Sequence, residues 1–198
     1  YSKMKPFLWE KLKEKLFFST EDVANAAGGT GESANVLCSR YGKKGTFIKL
    51  KKNFYILEQI WERYTQLEFF KIANFLQVPS YISCMSALSY YGITTQIQRN
   101  WYESISLRRS AKFEAKGTVF NYYKIRKEFY FGFLKEENFF IATREKAFLD
   151  AVYLHSFGKY PLDLSSIDVN SFDNETIVRL TEPYPQRTQQ KIKEICRI

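Results

Sequence analysis

Six cations fall in a stretch with no carboxylate to answer them. After Glu32 the next acid is Glu58, and between them stand Arg40, Lys43, Lys44, Lys49, Lys51 and Lys52. Cationic side chains at that density, without acids, neutralise phosphates and fix a protein's position on a nucleic acid. Ser33, Asn35 and Ser39 lie in the same stretch, and with Arg40 they have the hydrogen-bonding groups that read base edges. A second basic run, Arg99 to Lys127, holds eight basic and two acidic residues. Its clusters are Arg108, Arg109 and Lys112, then Lys124, Arg126 and Lys127. These are a candidate partner-binding face, with a solvated sheet surface as the alternative.

Other chemistry finds few residues to work with. His155 is the only histidine, and at a helix end it suits a role beside the helix dipole better than that of a base. Gly28-Gly29-Thr30-Gly31 lacks the lysine that follows in a phosphate-binding loop. Glu145 and Asp150 are five apart on a helix and point in different directions, and Asp163 and Asp168 have no histidine partner. Cys38, Cys84 and Cys196 are widely spaced, with no C-x-x-C, so neither a disulfide framework nor a zinc site is expected. The expectation is a protein that is not an enzyme and that takes no cofactor or metal.

Composition agrees with a polyanion partner. The chain of 198 residues is 45% hydrophobic, 26% charged and 18% aromatic, with a formal net charge of +9. That is globular composition with a basic, aromatic-rich bias. The excess is uneven: residues 1–57 carry net +6, residues 58–142 net +3, and residues 143–198 none. Charges interrupt every apolar run near the N-terminus, which argues against a secretory signal. The uncharged stretch Ile72–Gln98 has the length of a membrane span but is interrupted by Asn, Gln, Ser, Pro and Gly, so it reads as a buried turn-and-helix element. With few cysteines, the chain suits the cytoplasm and no membrane partner is expected.

The elements that must position the cations follow from periodicity. Phe7, Leu8, Leu12 and Leu16 have helical spacing over Pro6–Leu16. Ser19 and Asp22 resemble a capping box that opens a second helix, Thr20–Ala27, with Val23, Ala24 and Ala27 inward. Gly28-Gly29 ends it, and Thr30 caps a third helix over Gly31–Lys43, with Ala34, Leu37, Cys38 and Tyr41 on its apolar stripe. Thr46–Leu50 and Phe54–Leu57 are β-rich runs around Lys51-Lys52-Asn53. Helix, helix, glycine turn, helix and hairpin is the order of a winged helix-turn-helix, here residues 1–58, with the third helix in the major groove and the hairpin tip along the backbone.

Residues 59–198 read as a C-terminal α+β domain with a mostly antiparallel sheet. Helices are expected over Leu67–Leu76, Cys84–Tyr91, from Thr143 to about His155, Asn174–Leu180 and Pro185–Ile195. Strands are expected over Ser104–Arg108, Thr118–Ile125, Phe129–Phe133 and Phe139–Ala142. Lys146 and Asp150, at i and i+4, are placed to pair on the helix face. The aromatic residues suit core packing more than base stacking, because they alternate along the strands.

Two segments carry a resemblance. Pro79-Ser80-Tyr81-Ile82-Ser83 followed by Ser86-Ala87-Leu88-Ser89-Tyr90-Tyr91-Gly92-Ile93 is similar to a segment of the AbiEi-type antitoxins. Phe140-Ile141-Ala142-Thr143-Arg144-Glu145-Lys146-Ala147-Phe148-Leu149-Asp150 resembles the start of a helix in the same family. Cys84-Met85 and Arg144 depart from the family pattern. The resemblance covers roughly residues 17–155. It implies a transcriptional autorepressor and antitoxin of a type IV toxin–antitoxin system. Such a protein binds inverted repeats of double-stranded DNA upstream of its operon and counters a nucleotidyltransferase-like toxin, neutralisation belonging to the C-terminal domain. The alternative from a different class is a toxin-neutralising interaction module with little specific DNA binding.

Overall fold

The computed structural model describes residues 5–96 and 98–198. The first four residues of the expected N-terminal domain, and Ile97 of the uncharged stretch, lie outside the described residues. The chain forms two compact units. One comprises the chain through Phe69 together with Glu114–Gly117, and the other Phe70–Phe113 with Thr118–Ile198.

In the first unit, α1 spans Pro6–Leu12, opens on a proline suited to its first turn and buries Leu8 and Leu12. It is shorter than the periodicity implied, because the chain leaves the helix to bring Phe18 and Ser19 into a short strand, β1 (Phe18–Ser19). Helices α2 (Thr20–Ala27) and α3 (Gly31–Lys43) follow, then strands β2 (Phe47–Lys51) and β3 (Phe54–Leu57), and a turn of helix, α4 (Glu58–Trp61). The three strands form an antiparallel sheet in the order β1-β3-β2. Leu8, Leu12, Phe18, Val23, Ala34, Cys38, Tyr41 and Phe47 share one core. Phe18 meets Phe47 edge-on with ring centroids 4.8 Å apart, a favoured aromatic geometry. Ala26 is buried, and Ala27, expected inward, only packs against the core from its edge.

From there the chain runs through α5 (Gln66–Leu76), β4 (Ser80–Ile82), α6 (Cys84–Tyr90), β5 (Trp101–Ser106), β6 (Ala111–Ala115) and β7 (Thr118–Lys124). After β8 (Phe133–Glu136) and β9 (Phe139–Ala142) come α7 (Arg144–Ser156), α8 (Asn174–Thr181) and α9 (Gln186–Cys196). The six strands are ordered β6-β7-β5-β4-β9-β8. β4 with β5 and β8 with β9 are antiparallel, but β5 with β7 and β4 with β9 are parallel. The fold is therefore α+β with a mixed sheet, and alternation along a strand does not disclose those parallel partners. Strands β4 and β6 were not expected from the sequence. Phe129, expected to begin a strand, lies instead in a 3₁₀ turn, Lys127–Phe129, and stacks on Tyr184 at 4.4 Å.

Helix α7 is the central element of the second unit. Nearly every position from Glu145 to Ser156 is buried, including Lys146 and Asp150. A helix enclosed on all sides has no polar face, so the expected surface ion pair between these two residues forms in the interior instead.

Candidate nucleic-acid interface

The α2–α3 connection is fixed by two caps. Ser19 Oγ accepts from Asp22 N at 3.1 Å and Asp22 Oδ2 accepts from Ser19 N at 2.7 Å, a complete capping box. Lys15 Nζ adds a bond to Asp22 at 2.6 Å. Partial burial raises the Asp22 pKa, but Lys15 and Ser19 outweigh it and hold the carboxyl below its ordinary value. Gly28 ends α2 with φ +64°, a left-handed conformation that suits glycine. At Gly29 a Cβ would come within 2.6 Å of Ser33 Oγ, a contact that rotation of the serine side chain would relieve. Thr30 Oγ1 then accepts from Ser33 N at 3.3 Å and opens α3.

Along α3 the buried residues Ala34, Cys38 and Tyr41 anchor one face. Asn35, Ser39, Arg40 and Lys43 are all exposed, and their spacing places them together on the opposite face. Val36 stands among them, 66% exposed. Ser33 is exposed too, but its hydroxyl donates to Thr30 O at 2.8 Å, so it belongs to the cap as much as to the surface. The Arg40 guanidinium lies 5.3 Å from the centroid of the Tyr41 ring, which gives it a platform.

Lys43 and Lys44 are exposed at the C-terminal end of α3, where cations also complement the helix dipole. Lys49 is exposed on β2 opposite Tyr55. The register slips between Lys49 and Lys51, and Asn53 takes φ 64° at the hairpin tip beside exposed Lys52. Lys51 is half-buried, with its ammonium 5.4 Å from the Phe54 ring centroid, and desolvation lowers its pKa. Arg40, Lys43, Lys44, Lys49 and Lys52 make no ion pair among the described residues; the lysines that do so in this part of the unit, Lys13 and Lys15, lie before α2.

The second basic group is brought together by the parallel register. Ser106 of β5 is opposite Lys124 of β7, and Lys124 N donates to Ser110 Oγ at 3.0 Å. The Arg108–Arg109 turn and Lys124 therefore sit at the same end of two adjacent strands. Arg108, Arg109, Lys112, Lys124, Arg126 and Lys127 are all exposed. Lys112 Nζ lies 5.5 Å from the Trp101 ring centroid, and Arg126 is 3.5 Å from Glu128.

Asp163, Asp168 and His155 have structural partners. Asp163 and Asp168 accept from Ser165 N and Asn170 N in short 3₁₀ turns. His155 Nδ1 is 3.0 Å from Tyr160 O. Among the described residues, no three His, Cys, Asp or Glu side chains gather to hold a metal ion, and the three cysteines are free thiols. No helix there is long and apolar enough to cross a membrane.

What sequence reasoning missed is a buried polar network in the second unit. Tyr81 Oη and Ser83 Oγ both donate to Asp150 Oδ2, at 3.0 and 2.7 Å. Lys146 Nζ bonds the other carboxylate oxygen and donates to Tyr184 Oη at 2.9 Å. Burial drives Asp150 up and Lys146 down, and their mutual attraction opposes both shifts. Nearby, Glu103 accepts from Met85 N and Tyr160 Oη, and burial raises its carboxyl. The signal available was the i, i+4 spacing of Lys146 and Asp150; nothing local marks Tyr81, Ser83 and Tyr184 as their partners. Compared with protein-family models and with curated proteins, the chain matches none.

Proposed function

We propose that the chain is a DNA-binding transcription regulator in which α2, α3 and the β2–β3 hairpin act as a winged helix-turn-helix. The observation that carries this reading is the exposed basic surface on α3 and the hairpin, which holds no acid from Ser33 to Leu57, Glu32 in the first turn of α3 being its one carboxylate. Asn35, Ser39 and Arg40 are available to base edges there, and Lys43, Lys44, Lys49, Lys51 and Lys52 flank them as phosphate contacts. A cationic surface of this kind contributes little to the fold. Combined with the family resemblance of the Pro79–Ile93 and Phe140–Asp150 segments, it supports an autorepressor that binds inverted repeats upstream of its own operon. On the same reading the second unit serves the antitoxin role against a nucleotidyltransferase-like toxin, with no catalysis of its own, in the cytoplasm.

The test is binding of the full chain to the DNA upstream of its operon as salt is varied. With about six phosphates neutralised, log affinity against log salt falls with a slope of about −5. A flat salt response, or equal binding to scrambled DNA, overturns the specific-repressor reading. The convergence of Arg108, Arg109, Lys124 and Arg126 at one sheet end favours a second reading, in which an acidic protein partner is the main target. A second-unit fragment that still protects cells from the toxin supports that one.

A further inference from the structure

A cavity of about 390 Å³ opens in the second unit between α5, the Val78–Pro79 turn and the β8–β9 hairpin. Its walls are largely aromatic: Phe75, Tyr130, Phe133 and Phe140. Its polar residues include Lys71, Asn74 and Ser80, and no carboxylate lines it. Asn74 Oδ1 accepts from Phe140 N at 2.5 Å, which commits the oxygen and leaves the amide Nδ2 as the spare group. That Nδ2 and Ser80 Oγ are two of four buried side-chain polar atoms without a partner among the described residues. Ser80 is only 6% exposed. Buried groups left unpaired are uncommon and call for a water, an ion or a ligand. Lys71 has one carboxylate near, Glu137 at 3.7 Å, and that residue is itself well exposed.

Two neutral donors and an ammonium group, set against aromatic walls, favour an acceptor that is negatively charged and carried on a flat apolar body. The volume accommodates a molecule of small size. We propose that this cavity is a binding site for a small aromatic carboxylic acid, its ring against Phe75, Phe133 and Phe140 and its carboxylate toward Asn74, Ser80 and Lys71. The site stands independently of the DNA-binding surface, since its lining belongs to the second unit alone.

The experiment is a titration of the isotopically labelled full chain with phenylacetate, and in parallel with phenylacetamide, its neutral counterpart, followed by amide resonances. Shifts centred on Asn74, Ser80 and Phe140, saturating at lower concentration for phenylacetate than for phenylacetamide, are expected. Lys71→Met, at a partly exposed position, weakens phenylacetate about tenfold and leaves phenylacetamide unchanged, as loss of a charge-assisted bond requires. Ser80→Ala weakens both. Equal binding of acid and amide, an unaltered phenylacetate affinity in Lys71→Met, or shifts that arise elsewhere in the chain each overturn the proposal.

Discussion

In the first unit, Arg40, Lys43, Lys44, Lys49 and Lys52 reach solvent without a carboxylate beside them, whereas in the second Lys146, Asp150 and Glu103 are almost wholly enclosed. The enclosed charges are saturated with partners: Tyr81, Ser83 and Tyr184 around the Lys146–Asp150 pair, Met85 N and Tyr160 around Glu103. Burying a charge is tolerated only with such a shell, so these residues are specified by the fold. The exposed cations lack one and repel each other, which costs the compact state a little. The contrast separates charges that hold the chain together from charges available to something outside it.

That contrast breaks first at the buried pair. Lys146→Met leaves Asp150 with two hydroxyl donors but no countercharge, and the expected loss of stability is about 3–5 kcal/mol. Combining it with Asp150→Leu removes the stranded charge and regains part of the loss. Urea unfolding followed by tyrosine and tryptophan fluorescence measures both. A single-variant loss below about 1 kcal/mol would place the pair among ordinary surface charges, which are worth that little.

On the proposal that the first unit binds DNA, the exposed set responds in the opposite sense, losing binding while the fold keeps its stability. Arg40→Ala is expected to cost about 1–3 kcal/mol of binding at the base it reads and to relax sequence preference there. Replacing Lys49 and Lys52 by glutamine should leave the urea midpoint almost unchanged, within about 0.5 kcal/mol in stability. The same pair should make the salt slope shallower by about 1.8, from two lost phosphate contacts, on every sequence alike. Competition binding with matched and scrambled duplexes separates the two effects. If Arg40→Ala weakens both duplexes equally, Arg40 is a phosphate contact and the proposed base reading by Arg40 is overturned.

The first unit was the more legible of the two in the sequence. Its helices have regular apolar spacing, its turns carry glycine where φ is positive, and its caps are local pairs such as Ser19 with Asp22. Each of those signals lies within a few residues of what it controls. The second unit depends on contacts between distant segments. Tyr81 and Asp150 are 69 residues apart, and the β5–β7 and β4–β9 parallel pairs follow from topology that no local pattern encodes. Lys146 and Asp150 illustrate the limit: i, i+4 spacing correctly paired them, but burial of α7 on all sides is a property of its neighbours. The candidate cavity was invisible for the same reason, since α5, the Val78–Pro79 turn and the β8–β9 hairpin meet only in the folded chain.

A modest effect on stability is expected at the α2 cap, and its pH dependence sharpens the comparison. Ser19→Ala removes the hydroxyl that accepts from Asp22 N, and costs about 1 kcal/mol. Asp22 is a charge of intermediate kind, partly buried yet paired with Lys15 and the Ser19 amide. Burial raises its pKa and these partners more than reverse the rise, so the folded value lies below the ordinary 3.8. A depressed carboxyl stabilises the fold above its unfolded pKa and loses that stabilisation as pH falls through the folded value. The wild-type thermal midpoint should therefore drop more steeply than that of Asp22→Asn as pH is lowered from about 5 to about 2, and the two curves should converge at the acid end. Parallel curves would mean that the carboxylate contributes no more to the cap than the amide that replaces it, leaving Asp22 with the exposed charges.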